Sequence, residues 1–266
     1  MSTLFFKLSL ARLTGVLLML TLLIFAFVLP LVWPQDPLHQ QLMLALQAPD
    51  WQSPFGYDHL GRSQFARLAA AVRLSVGLAL LSAVGALIPG VLLGILSAWR
   101  GGWLDRSIGL LADAFMALPG LLLVLLLTAL VPDSALMLYA GISLLLWVEY
   151  FRLSRAIARP LLQSPAVEAS RLLGLSYWTI FRRHLWPEMA PVLLTVAVFG
   201  AASAIMAIAA LGFVSVGVRP PTPELGLMMT ELLPYYEEAP WALLQPVVVI
   251  FLMVLSLLLI AGREKA

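Results

Sequence analysis

The chain has 266 residues, of which 62% are hydrophobic and 11% charged, whereas an average soluble domain carries about 25% charged residues. With a mean hydropathy of +0.98, this describes a polytopic membrane protein with a single membrane domain and argues against a soluble enzyme or a nucleic-acid binder. The absence of cysteine excludes disulfides, thiolate metal sites and cysteine nucleophiles, and the net charge of +2 says less than its distribution.

Lys7 and Arg12 precede an uncharged run, from which the first transmembrane helix is expected over residues 13–33, closed by Pro34 and Pro37. Its apolar part is too long for a signal-peptide core of roughly 7–15 residues, and no small-x-small cleavage site follows. Residues 34–73 form a polar region whose end, FGYDHLGRSQFARLAAAVRLSVG, reads as an amphipathic helix running into a second span over 74–99. Arg100-Gly101-Gly102-Trp103 is a tight reversal, with Trp103 suited to the headgroup layer. A third span is expected over 107–131, containing Asp113 and Pro119. A fourth follows over 135–151, ending near Glu149 and Arg152. The basic region 152–188 comes next, then an uncharged fifth span over 189–218. The Pro-rich, acidic loop 219–240 and a sixth span over 241–262 complete the chain.

Placing the N-terminus inside puts twelve Lys and Arg residues in the cytoplasm and leaves four outside: Arg62, Arg67, Arg73 and Arg219. Both termini and the basic region are then cytoplasmic, and residues 34–73 and 219–240 face out. The two halves show no inverted repeat, which weakens a two-fold secondary-transporter reading.

No enzyme constellation is present: GxxxxGK[ST], HExxH and GxSxG are all missing, so no catalytic residue is assigned. His39 and His59 are expected outside and His184 inside, so they cannot share a metal, and no metal or cofactor site is assigned. Met228 and Met229 read as flexible packing, and Tyr235, Tyr236 and Trp241 as an interfacial aromatic belt. Two acids fall in spans, Asp113 and Glu149. The preferred reading is structural, with Glu149 pairing Arg152 three residues on. A place on a substrate path is the alternative.

The segment Val167–Pro191 carries its own helical pattern. Ala166, Ala169 and Leu173 share one face. Trp178, Phe181 and Leu185 share a face of a second short segment, and Gly174 lies between the two. Arg171, Arg182, Arg183 and His184 make it basic, and Glu168 suits a helix start. A basic helix pair held outside the bilayer either meets anionic headgroups or docks a partner, and Pro187 is placed to open the helix that follows.

At Glu168-Ala169-Ser170, Gly174 and Pro187 this segment resembles the EAA loop of ABC importer permeases, whose pattern is EAA, three residues, G, nine residues, then I-x-L-P. Ser170 replaces the second alanine, and His184 and Trp186 stand at the Ile and Leu positions. FGYDHLGRSQFARL resembles the GTDxLGRDxxSRL signature of the peptide and nickel branch, with Tyr57 for Thr and Ser63 for Asp. GVLLGILSAWRGGWLDRSIGLLAD resembles its second cytoplasmic turn. VSVGVRPPTPELGLMMTE resembles its LGLGxxPPxPxWGxMxxE loop, with Leu225 for Trp.

The resemblance implies an all-α permease of the type I importer fold, with six transmembrane helices and cytoplasmic coupling helices, in a bacterial inner membrane. It implies a non-catalytic subunit, paired with a different second permease subunit. Two cytoplasmic ATPases would use the ATP and Mg, and a periplasmic or lipid-anchored binding protein would deliver the substrate. Glu168, Ala169, Ser170, Gly174, Leu175 and Pro187 would couple to the ATPase. Asp58, Gly61, Arg62, Pro220, Pro221, Gly226 and Glu231 would meet the binding protein or form a gate. The DHLGR run leans the substrate toward nickel or a metal–metallophore chelate, with di- or oligopeptides as the alternative and an ion-coupled secondary transporter as the competing class.

Overall fold

The computed structural model describes residues 10–51, 53–131 and 134–262, which form helices and loops and no strand. Helix α1 spans Leu10–Val32, with a π turn at Ile24–Val28, and α2 spans Gln64–Arg100. A broken pair follows: α3, Gly102–Met116, and α4, Gly120–Leu130, bent by 86°. Next come α5, Ala135–Leu162, and the short α6, Pro165–Leu172. Helix α7 runs over Tyr177–Phe213, α8 over Leu225–Leu232 and α9 over Pro240–Ala261. Among the described residues five helices are long and apolar enough to cross a membrane, and the bent pair α3 and α4 together has the length and apolarity of a sixth. Lys7, Pro132, Asp133, Arg263, Glu264 and Lys265, which entered the reading of turns and charges, lie outside the described residues.

Four boundaries differ from the sequence expectation. The second span begins at Gln64, because Ser63 caps α2 by accepting from the Ala66 N–H; the 37 residues of α2 make about 55 Å of helix, more than a bilayer needs. The third span is not one helix. Pro119 lacks an N–H and disfavours helical backbone at Leu118, so α3 ends there; the 11 residues of α4 cover only about 16 Å. The fourth span continues through Arg152 to Leu162, so the inner loop is shorter than expected. The fifth begins at Tyr177, not at Met189, because Ser176 caps it and a π turn over Phe181–Leu185 carries the helix past Pro187.

The centre is the α2–α5 contact, made by small residues. Ala79, Ala83, Ala86, Gly90, Gly94 and Ser97 recur every three or four positions on α2 and are buried. A Cβ on Gly90 would stand 2.7 Å from the Trp147 carbonyl oxygen, and one on Gly94 would overlap Ser154 Oγ. In hydrocarbon, where apolar side chains gain nothing by hiding from lipid, such close backbone approach supplies the packing. Helix α1 reaches α9 in the same way: a Cβ on Gly15 would lie 2.8 Å from Leu259 Cβ. At the end of the bundle away from α6, residues 34–63 and 217–239 fold over the helices as a cap. Gln64 Nε2 donates to the Ala242 carbonyl and Gln245 Nε2 to the Phe55 carbonyl.

Candidate functional site

Two regions gather the residues singled out by sequence, one at each end of the bundle. At the inner-loop end, Ser164 and Pro165 open α6, and Glu168 sits in its first turn, favoured by the positive end of the helix dipole. The helix ends in a Schellman arrangement: Gly174 N–H donates to the Arg171 carbonyl at 3.0 Å and Leu175 N–H to the Ser170 carbonyl at 3.1 Å. Gly174 has φ +72° and open space around the place of a Cβ, so backbone conformation, not crowding, demands glycine there.

Only Val167 and Ser170 of α6 face the bundle. Ala166, Ala169 and Leu173, the expected apolar face, point outward with Leu172; Leu172 is 85% exposed and Leu173 78%. The second short helix expected here is the first turn of α7. Leu185 is buried while Trp178 is 66% exposed, because the π turn between them shifts the register that would have put both on one face. Two of the three departures from the EAA pattern touch each other: Ser170 Oγ lies 2.9 Å from His184 Nε2 and also donates to the Ala166 carbonyl. Trp99, at the end of α2, backs the segment, edge-on to Tyr177 and 5.7 Å from the Arg171 guanidinium. Pro187 is exposed.

At the cap, Asp58 opens a tight turn, its Oδ1 accepting from the Leu60 and Arg62 N–H groups at 2.9 and 2.8 Å. Gly61 closes the turn at φ +67°, pressed on the Gln41 carbonyl. The turn aims Arg62 at Asp58 (2.5 Å) and at Glu231 on α8 (3.1 Å). Arg67, which the sequence did not single out, completes the square with Asp58 at 3.3 Å and Glu231 at 2.5 Å. Asp58, Arg62 and Arg67 are each about 1% exposed. Two carboxylates and two guanidiniums thus form a neutral network tying the turn to α8. His59 stacks on Tyr235 with ring centroids 5.3 Å apart; burial pushes its pKa down, against the pull of Asp58 and Glu231.

Asp58, Arg62 and Glu231 therefore come together, but as an internal tie and not as a face open to a partner. Gly226 is packed on the Ala209 carbonyl, and Pro220 and Pro221 are exposed. Sequence reasoning missed Glu224. Its Oε2 accepts from the Leu227 N–H at 2.8 Å to cap α8, it packs against Gly212, and burial raises its pKa. A glutamate placed directly before an apolar helix was the available signal.

The expected Glu149–Arg152 pair is not formed. Arg152 pairs instead with Asp113 of α3 at 2.5 Å, because the break at Pro119 swings α3 against α5; Glu149 is exposed. Nearby, Arg155 grips Asp105 through Nε and a terminal nitrogen, and Ser97 Oγ donates to the same carboxylate.

The described residues form a multi-helix bundle of membrane-spanning length and apolarity, with an exposed, capped helix at one end and a folded cap at the other. The chain belongs to the family described as binding-protein-dependent transport system inner membrane component, which matches residues 90–263. It is therefore a multi-pass inner-membrane ABC importer permease of the peptide and nickel group. It is 36% identical over 91% of its length to a Pseudomonas aeruginosa di/tripeptide transport system permease protein, DppC, covering 82% of that protein. It is 30% identical over 87% of its length to the Escherichia coli nickel transport system permease protein NikC, covering 84% of it. The fold is similar to a solved chain of the MetNI methionine ABC transporter, with a TM-score of 0.54 and 19% identity, over 69% of this chain and 89% of that one.

Proposed function

We propose that the chain forms one half of the translocation pathway of an ATP-driven importer and takes its driving force through α6. It catalyses nothing itself and binds no cofactor. It pairs with a second, different permease subunit; two ATPases bind and hydrolyse Mg-ATP on the cytoplasmic side; a periplasmic or lipid-anchored binding protein presents substrate to the cap. The N- and C-termini and α6 lie in the cytoplasm, as the Lys and Arg distribution favours. The observation that carries the coupling role is the outward face of α6. A helix of eight residues that buries only two, with Leu172 and the following Leu173 bare beyond Glu168, presents an apolar face of the kind that a partner covers. Glu168, Ala169, Gly174, Leu175 and Pro187 act there, with Ser170, against His184, joining the segment to α7.

On cargo, identity does not divide the two, since DppC relatives stand at 36% and 28% and NikC at 30%. The Asp58-His59-Leu60-Gly61-Arg62 run favours nickel or a metal–metallophore chelate, and small peptides are the second reading. Family membership sets the ion-coupled secondary transporter aside.

Because the chain has no cysteine, Leu172→Cys gives a single thiol. Oxidative cross-linking of that thiol to cysteines placed in the ATPase cleft should trap a permease–ATPase adduct that reductant releases. A protein that isolates alone, gives no adduct and transports with Gly174→Val in place would defeat the coupling role.

A further inference from the structure

A cavity of about 640 Å³ lies between α3 and α5 at the α6 end of the bundle. That volume falls in the range of small-molecule sites, about 300–1,000 Å³. Its walls are charged in a chain that is otherwise mostly apolar: Asp105, Arg106, Asp113, Arg152 and Arg155 all line it, with Gly109 between them. Asp105 lies in the first turn of α3, two residues past Trp103, and Arg152 and Arg155 lie toward the α6 end of α5, so these charges gather at the end of the bundle and not at mid-helix. The cavity therefore faces water or protein.

Its charges differ in how firmly they are held. Arg155 makes two hydrogen bonds to Asp105, which also accepts from Ser97 Oγ, and Arg159 stands 3.9 Å from the same carboxylate, so this group is a fixed wall. The Arg152–Asp113 pair is open to solvent, with side chains 47% and 64% exposed, and such pairs are held weakly. Arg106 has no ion-pair partner among the described residues. Glu149 lies on the same helix as Arg152, three residues toward the cap, and is exposed without an ion pair among those residues.

Resting on the permease reading above, we infer that this cavity is an anion-accepting station on the translocation path, which holds a carboxylate of the cargo. Arg106 offers an uncommitted guanidinium, and Arg152 becomes a second donor when the cargo carboxylate displaces Asp113 from it. A guanidinium suits a carboxylate because its planar fork can donate two parallel N–H bonds. Glu149, one turn further along α5, suits the ammonium of a zwitterion. A small peptide and a metal–metallophore chelate both carry carboxylates, so the shared chemistry does not depend on which of them is transported.

The test uses the complete reconstituted importer. A Cβ at Gly109 meets nothing within 4 Å, and the chain has no other thiol, so Gly109→Cys reports on the cavity alone. The rates of modification by sulfonate-bearing and trimethylammonium-bearing methanethiosulfonates are compared with those at Leu122→Cys, on the exposed apolar side of α4. The sulfonate reagent should be preferred at Gly109→Cys, and adding Arg106→Gln should cut the preference about tenfold, since one charge several ångström away across water changes the rates of the anionic and cationic reagents about threefold in opposite directions.

Millimolar dialanine should slow labelling while dialanine amide does not if peptides are the cargo; a nickel–histidine chelate should do so if chelates are. Three results overturn the inference: no reaction with either charged reagent, no anion preference, or labelling slowed by phosphatidylglycerol vesicles but by neither cargo probe. The last would mark a headgroup site. Failure of the underlying permease reading shows separately, as absence of ATP-dependent uptake by the unsubstituted importer.

Discussion

Glu231 is the side chain on which the cap closes. It is the sole carboxylate in hydrogen-bond reach of both Arg62 and Arg67 from the α8 side, at 3.1 and 2.5 Å. Glu231→Leu would leave two guanidiniums, each about 1% exposed, sharing Asp58 alone. Removing one partner from a buried ion pair costs about 3–5 kcal/mol, because the remaining charge stays desolvated. The Glu231 side chain retains 14% exposure, so the lower figure, about 3 kcal/mol, applies. At about 2–4 °C per kcal/mol the midpoint of thermal unfolding in detergent should fall by about 6–12 °C. The double variant Glu231→Leu with Arg67→Met removes one charge of each sign and should recover part of the loss. A thermal midpoint within 2 °C of the parent for Glu231→Leu, measured by intrinsic tryptophan fluorescence, would show that the network does not hold the cap.

Three further outcomes follow from single contacts. Glu168→Lys reverses charge in the first turn of an exposed helix; ATPase copurification should drop several-fold while membrane insertion is unchanged, and intact assembly with intact uptake would count against the coupling role. Gly94→Val drives a side chain into Ser154 and the Phe151 carbonyl, so expression of folded protein should collapse, whereas Gly109→Val, with open space, should be tolerated. Burial raises the Glu224 pKa above its unfolded value of 4.5, so its contribution to stability is full below pH 4.5 and is lost as pH rises through the folded value. Glu224→Gln, compared with the parent from pH 4 to 8, should flatten that decline; identical curves for both proteins would remove Glu224 as its source.

What the sequence made legible were features with local physical causes. Gly174 and the Gly101-Gly102 pair mark positive-φ turns, and the apolar runs mark helices, because each needs only neighbouring residues. The cap network was half visible. Asp58, Arg62 and Glu231 were picked out as a group by motif, yet 169 positions separate Arg62 from Glu231, and nothing local shows that they meet or that Arg67 joins them. Arg152 shows the opposite failure. The i+3 rule favoured Glu149, but one proline at position 119 turned α3 across α5 and supplied Asp113 instead. Likewise, a π turn cannot be read from periodicity, and its extra residue parted Trp178 from Leu185.

The two ends of the molecule differ in how easily their contacts exchange. Opening the cap means separating four desolvated charges, about 3–5 kcal/mol for each broken partner. Opening the Arg152–Asp113 contact means parting two exposed side chains, worth about 0–1 kcal/mol. On the coupling role proposed for α6, an ATP-driven cycle would meet the weak contacts first. Helix α3, hinged at residues 117–119 and held to α5 partly by that pair, is the element able to shift. The cap, tied to α2 by Arg67 and to α9 by Gln245, is expected to move as one body with the bundle. Access from outside is then expected to open between the caps of the two permease subunits and not within this one. A short bis-maleimide bridging Phe55→Cys and Gln245→Cys should therefore leave uptake near the parental rate, while one bridging Asp113→Cys and Arg152→Cys should arrest it. Arrest by the cap bridge would place the moving joint inside the cap instead.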